Sequence, residues 1–235
     1  MTLPSNVHVS SHPCLQAKLS QLRSSSTSPR ETKALVHEIS NILGVEAFTG
    51  LKPLKTGKDT TPLGVEYETQ GIDPADLALV PILRSGLGMV EAFNALLPTP
   101  VPIYHLGLFR ERVTLQPVEY YNNLPFHSSE LSPASPASLD PTINTAAATL
   151  AVLLDPVIAT GATAEAAIHL LQDWGVQKII LVSILGSEAG VKRAAASWKG
   201  VEVWMGGVDG AVDEKGMIVP GVGDIGDRLF VALGK

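Results

Sequence analysis

The chain has 235 residues, 45% of them apolar, 5% aromatic and only 17% charged, where an average soluble domain carries about 25% charge. A net charge of −6 with scattered Lys and Arg lacks the electrostatic footprint of a nucleic-acid binder, and a single cysteine, Cys14, excludes an internal disulfide. Aliphatic bulk with 21 Gly and 17 Pro suits a buried sheet with tight loops, not a coiled coil or a disordered tail. The longest near-uninterrupted apolar stretch, Thr145 to Leu154, is far short of the ~20 residues of a membrane span. No apolar core of a signal peptide follows Met1, so the expected location is the cytoplasm.

In chain order, residues 1–76 read as a helical, polar segment. Cys14 to Arg23 predicts an amphipathic helix. Arg30 to Leu43 predicts a second, with Leu35, Ile39, Ile42 and Leu43 on one face and Gly44 as a stop. Between Lys52 and Pro74 the Gly, Pro and Thr content predicts a loop or short hairpin. From Leu77 the pattern changes to short apolar runs: 77–83, 101–109, 150–155, 178–185 and 201–207, each expected to be a strand. Helical patterns at 89–97, 163–174 and 188–198 lie between them, and Gly175 offers a left-handed C-terminal stop. This alternation implies right-handed crossovers and an open, mostly parallel α/β sheet flanked by helices. Residues 110–125 look like a hairpin, and the Ser/Pro-rich segment after Pro125 is expected to be an exposed loop. No internal repeat is visible, so residues 1–235 are read as one domain.

The strongest chemical signal is LAVLLDPVIATGAT (150–163). A buried strand ends at Asp155, where ligands bind in open α/β sheets. Thr160, Gly161, Ala162 and Thr163 could then wrap backbone N–H groups and two hydroxyls around a phosphate at a helix N-terminus. The alternative is an ordinary strand–loop–helix junction with Thr163 as the cap. RSGLG (84–88) sets Arg84 at a second strand end, beside a flexible loop suited to an anion. GVGDIG (221–226) spells a dinucleotide fingerprint, but the strand before it and the βαβ unit after it are missing. No P-loop, nucleophile elbow or zinc spacing occurs, and the six histidines are dispersed.

Four segments in order, VPILRSGLGM (80–89), GLFRERVTLQPVEYY (107–121), LLDPVIATGAT (153–163) and GMIVPGVGDIGDRLF (216–230), resemble the uracil phosphoribosyltransferase family. The similarity runs from about Leu15 onward, with 126–148 as an apparent insertion. The third segment is shared by many phosphoribosyltransferases, whereas the last is much more specific to the uracil enzymes. The resemblance implies a type I phosphoribosyltransferase fold. Its core would span 77–207 with an arm at 106–125, the 1–76 segment would form part of a hood, and 208–235 would bind the base. It implies that uracil and phosphoribosyl pyrophosphate give UMP and diphosphate in pyrimidine salvage, with Mg²⁺ held mainly through substrate and water. Asp155, Arg84 and Arg110 would be catalytic, and 159–163 would grip the 5′-phosphate. Ile218, Gly223, Asp224 and Ile225 would read uracil by backbone, with Asp224 also reaching the ribose or metal side. A homodimer or homotetramer is expected, and an allosteric nucleotide such as GTP is left undecided. Tyr120 and Tyr121 are assigned to packing of the arm or of a dimer.

The chain departs from the family pattern at Ser85, at Ala162 in place of a second glycine, and at Met217 in place of an aromatic. It departs also at 186–190 and at LGVEA (43–47). None of these removes a charged group assigned above. A non-catalytic regulatory protein on the same fold is the competing reading, and its signature would be loss of the aspartate, an arginine or the GD pair. All are present.

Overall fold

Apolar runs with no polar side need cover on both faces, and one sheet supplies it. The computed structural model describes residues 2–111, 117–125 and 147–231. The N-terminal third contains β1 (Val7–Val9), α1 (Pro13–Arg23), α2 (Pro29–Ala47), β2 (Lys52–Thr60) and β3 (Glu66–Asp73). The middle contains β4 (Leu77–Leu83), α3 (Leu87–Leu96), β5 (Leu106–Arg110), β6 (Pro117–Asn122), β7 (Leu150–Leu154) and β8 (Val157–Ile158). The last part begins with α4 (Ala162–Trp174), β9 (Lys178–Ser183), β10 (Leu185–Ser187), α5 (Glu188–Ala196) and β11 (Val201–Met205). It ends with β12 (Val208–Asp209), β13 (Ala211–Val212), β14 (Ile218–Val219) and α6 (Ile225–Phe230).

Seven strands form the main sheet in the order β1-β11-β9-β7-β4-β5-β6, parallel except for the β5–β6 hairpin. Alternation along each central strand feeds two cores. Leu77, Leu79, Leu150, Val152 and Leu154 pack with α1, α2 and α3 on one face. Val80, Ile82, Ala151, Leu153, Ile179 and Leu181 pack with α4 and α5 on the other. Both faces of the sheet are therefore dry, and the strand ends carry the polar chemistry. A small parallel sheet, β12-β10-β8, continues from the C-terminal ends of the main strands and carries the loops of the site.

Several boundaries differ from the sequence expectation for identifiable reasons. Gly44 does not stop α2. A Cβ there would lie 2.5 Å from Leu96 Cδ1, so this glycine lets α2 and α3 approach closely, and the helix runs on to Ala47. At its start, Ser28 and Glu31 form a reciprocal capping box. The 101–109 run is not one strand: Ile103 bridges to Leu79 through Pro102 O and Tyr104 N–H, and continuous pairing begins only at Leu106, since Pro81 between them on β4 has no N–H to donate. The 178–185 run divides after Ser183, and Leu185 joins the small sheet. Residues 52–73 form a long hairpin with β2 exposed throughout. β1 was not anticipated; it adds to the edge of β11, and the Asn6 side-chain amide donates to Ala195 O and Val201 O, both at 3.0 Å. Of the segment 126–148, residues 126–146 lie outside the described residues.

Candidate active site

The ends of β4 and β7 are neighbours in the sheet, so the loops that follow them meet. Gly86 makes this contact close: a Cβ there would stand 2.4 Å from Leu154 O. The two loops, the arm strands β5 and β6, and the segment 216–226 enclose a cavity of about 360 Å³.

Asp155 sits at its floor, only 7% exposed. Burial pushes its carboxyl up to about 7, partly offset by the Val157 N–H that it accepts. Beyond it, Ala159, Thr160, Gly161 and Thr163 line the cavity at the start of α4. The helix cap is not Thr163. Gly161 takes that position with φ +79°, and Thr163 lies within the first turn and lines the cavity. A side chain at 161 would be strained by that φ, and its Cβ would fall 2.4 Å from Gly190 O. Ala162 is buried and does not line the cavity. The first amides of α4 form a ready site for an anion.

The turn leans on α5. Ser187 Oγ donates to Ala159 O at 2.5 Å and accepts the Gly190 N–H at 2.9 Å. A Cβ on Gly190 would be 2.2 Å from Ala159 O. Glu165 and Arg193 pair across the two helices, with Nε to Oε2 at 2.8 Å. The 186–190 segment, read in the sequence as a stretched turn, is thus the backing of the 159–163 turn.

Arg84 is exposed at the cavity wall and pairs with no carboxylate among the described residues; its guanidinium lies 6.0 Å from the Phe230 ring centroid. Arg110 ends β5, and its side chain lies outside what is described. Phe109 and Tyr120, 6.0 Å apart between ring centroids, both line the cavity from the arm. Tyr120 therefore packs on Phe109 within the arm, as assigned, and also borders the cavity, while Tyr121 is exposed and does not line it. Strand alternation could have separated the two, had the register been known.

Ile218, Gly223, Asp224 and Ile225 line the opposite wall, together with Met217 and Val222. Ile218 and Ile225 are nearly buried and join the apolar core, so this wall presents mainly backbone to the cavity. Asp224 caps α6, its Oδ1 accepting the Asp227 N–H at 3.0 Å. Behind the wall stand three residues that sequence reading missed. Arg23 forks onto Asp209 with two 2.7 Å bonds and also donates to Gly221 O at 2.9 Å. The Gly221 N–H returns to Asp209 Oδ2 at 2.9 Å. Burial alone would raise the Asp209 carboxyl, but the Arg23 fork, the Gly221 amide and the Arg23 charge together hold it low. Arg228 donates to Leu22 O, Val222 O and Ser24 O at 2.6, 2.8 and 3.1 Å, and burial lowers its pKa.

The cavity thus has an anion grip at one end, a carboxylate in the middle and a backbone wall at the other, the layout needed for a phosphorylated sugar beside a small polar ring. No helix of the described residues is long and apolar enough to cross a membrane. The family model described as uracil phosphoribosyltransferase matches residues 9–232. The Schizosaccharomyces pombe protein urg2 is 42% identical over 228 residues, covering 97% of this chain and 91% of its own length. A uracil phosphoribosyltransferase of Roseiflexus castenholzii is 38% identical, covering 95% of this chain and 97% of its own. The solved structure of the AQ2163 protein of Aquifex aeolicus aligns with a TM-score of 0.82 at 28% identity, covering 96% of this chain and 98% of that one.

Proposed function

The chain belongs to the uracil phosphoribosyltransferase family, and from that premise we propose how this cavity joins uracil to phosphoribosyl pyrophosphate, yielding UMP and diphosphate for pyrimidine salvage. The observation that carries the assignment of roles is the convergence of the α4 turn, buried Asp155, Arg84, which pairs with no carboxylate among the described residues, and the backbone wall on one cavity. In the reaction the bond from ribose C1 to the diphosphate oxygen breaks and a bond from C1 to N1 of uracil forms, with loss of the N1 proton. Glycosyl transfers of this kind pass through an oxocarbenium-like state. Asp155 stabilises the positive charge that develops there and holds the ribose hydroxyls. Thr160, Gly161, Ala162 and Thr163 grip the 5′-phosphate through amides and hydroxyls, with Ala159 at the start of the turn.

Arg84, with Arg110 from the arm, neutralises the departing diphosphate; a guanidinium suits this because it binds phosphate oxygens in pairs. The backbone around Ile218, Gly223, Asp224 and Ile225 reads uracil, whose edges offer both donors and acceptors.

The donor set fits a Mg²⁺ that arrives with the diphosphate. Asp155 and Asp224 line the cavity, while no group of three ligating side chains occurs among the described residues. Such an ion keeps most of its waters and supplies charge neutralisation on the diphosphate.

We assign the protein to the cytoplasm as a homodimer or homotetramer. The exposed Leu63, Val65 and Tyr67 of the β2–β3 hairpin are candidate contact residues. The deciding assay is incubation of pure protein with uracil, phosphoribosyl pyrophosphate and Mg²⁺, following UMP. A folded protein that makes none overturns the reading. Adding GTP to the same mixture tests for an allosteric nucleotide.

A further inference from the structure

Arg23, Asp209 and Arg228 converge behind the 216–226 segment, and none of them lines the cavity. We propose that these three side chains form a clamp that fixes the backbone of residues 220–224 in the conformation that reads the base. They are positioning residues for uracil, not catalytic ones. This rests on the reading that the 216–226 wall receives uracil.

Recognition by backbone sets a stringent mechanical requirement. A side chain can swing to meet its ligand, but an amide dipole points wherever the chain points, so a backbone reader is only as selective as its chain is still. Locally this chain is poorly equipped to be still. It runs Pro-Gly-Val-Gly-Asp, with Gly221 and Gly223 both at positive φ. Glycine permits those angles but also many others.

The clamp removes that freedom. Gly221 has its N–H tied to Asp209 and its C=O tied to Arg23, so both of its polar groups are spent on one ion pair. One residue on, Val222 C=O is taken by Arg228. The same guanidinium takes Leu22 O at the end of α1, a carbonyl with no partner within its own helix, and Ser24 O just beyond. Arg23 and Asp209 lie 186 positions apart, and Arg228 and Leu22 lie 206 apart. The base wall is therefore held by the end of α1, a distant element, and not by its own sequence. Because the phosphate turn leans on α5 instead, the clamp's effect should be confined to the base side.

The test is two-substrate steady-state kinetics on Arg23→Met, Arg23→Lys and Asp209→Asn, beside hydrogen–deuterium exchange on the unliganded proteins. For Arg23→Met and Asp209→Asn the KM for uracil should rise about tenfold or more, the scale of a lost charge-assisted hydrogen bond. Turnover and the KM for phosphoribosyl pyrophosphate should stay within about threefold. Arg23→Lys, which restores the charge but not the fork, should fall between. Amides of 218–226 should exchange faster in the variants, with those of 157–164 unchanged. An unaltered KM for uracil in an assay where the wild type makes UMP overturns the clamp. So does an equal loss in turnover and in both KM values. If the wild type makes no UMP, the functional reading fails. The clamp is then judged by exchange alone, and unchanged exchange at 218–226 overturns it.

Discussion

At the level of single residues, the proposed mechanism rests most heavily on Asp155. Its carboxyl is held up to about 7 by burial, so near neutrality the empty site holds a mixture of charged and neutral forms. The form proposed to act is the ionised one. We therefore expect kcat/KM for phosphoribosyl pyrophosphate to rise with pH through about 7 and then level, which a pH–rate profile of the free enzyme reads directly. Stability should run the other way. Between the ordinary carboxylate range and about 7 the folded chain keeps a proton that the unfolded chain releases, so stability falls as pH rises across that window. Asp155→Asn should flatten this slope in denaturant titrations. It should also lower turnover by about 10²–10³, the scale of one preorganised electrostatic contact. A near-wild-type rate would show that the carboxylate does not act on the transition state. Asp155 was legible in the sequence because its position, the last residue of an apolar run, needs no tertiary knowledge. Asp209 was not: its role exists only through Arg23, and nothing in either neighbourhood points to the other.

Between elements, the 159–163 turn and α5 are packed as one unit. Gly190 has no room for a side chain, since a Cβ would sit 2.2 Å from Ala159 O. Gly190→Ala should push the 159–163 turn off its backing and cost about 1–3 kcal/mol of stability, as overpacking does. Ribose 5-phosphate, which probes the grip without the base or diphosphate, should bind more weakly by titration calorimetry. Unchanged binding would mean that the turn holds its shape without α5. The sequence showed where the strands and helices lie because buried parallel strands are continuous apolar runs and α2 and α4 carry clear stripes. It did not show β1, whose three residues are too short for any period, nor the breaks after Ile103 and Ser183, which depend on which strand each residue can pair with. Likewise Tyr120 could be placed in the arm but not on a face.

For the whole molecule, the low charge fraction has a structural counterpart. On the proposed reading an anionic substrate would be met by the amides of α4, two arginines and a metal ion carried in with it, and no basic surface would be required. The two most prominent exposed aliphatic side chains of the hairpin lie away from the cavity. Leu63 is 89% exposed and Val65 60% on the β2–β3 hairpin, more than a monomer needs to show water. Sedimentation should find a dimer or tetramer, and Leu63→Asp combined with Val65→Asp should shift it toward monomer. An unchanged sedimentation profile would exclude the hairpin as the contact.

The register of β1 on β11 has a consequence for synthesis. Val7 pairs beside Val203, and Asn6 reaches Val201 across 195 positions. On the ribosome the first strand and the apolar face of α1, Leu15, Leu19 and Leu22, emerge long before the edge and core they will cover. Contacts so distant in sequence slow folding and leave apolar surface unprotected meanwhile. Residues 6–22 are made long before the strand and core they join, so a nascent chain stalled before residue 200 should stay open to proteolysis across them.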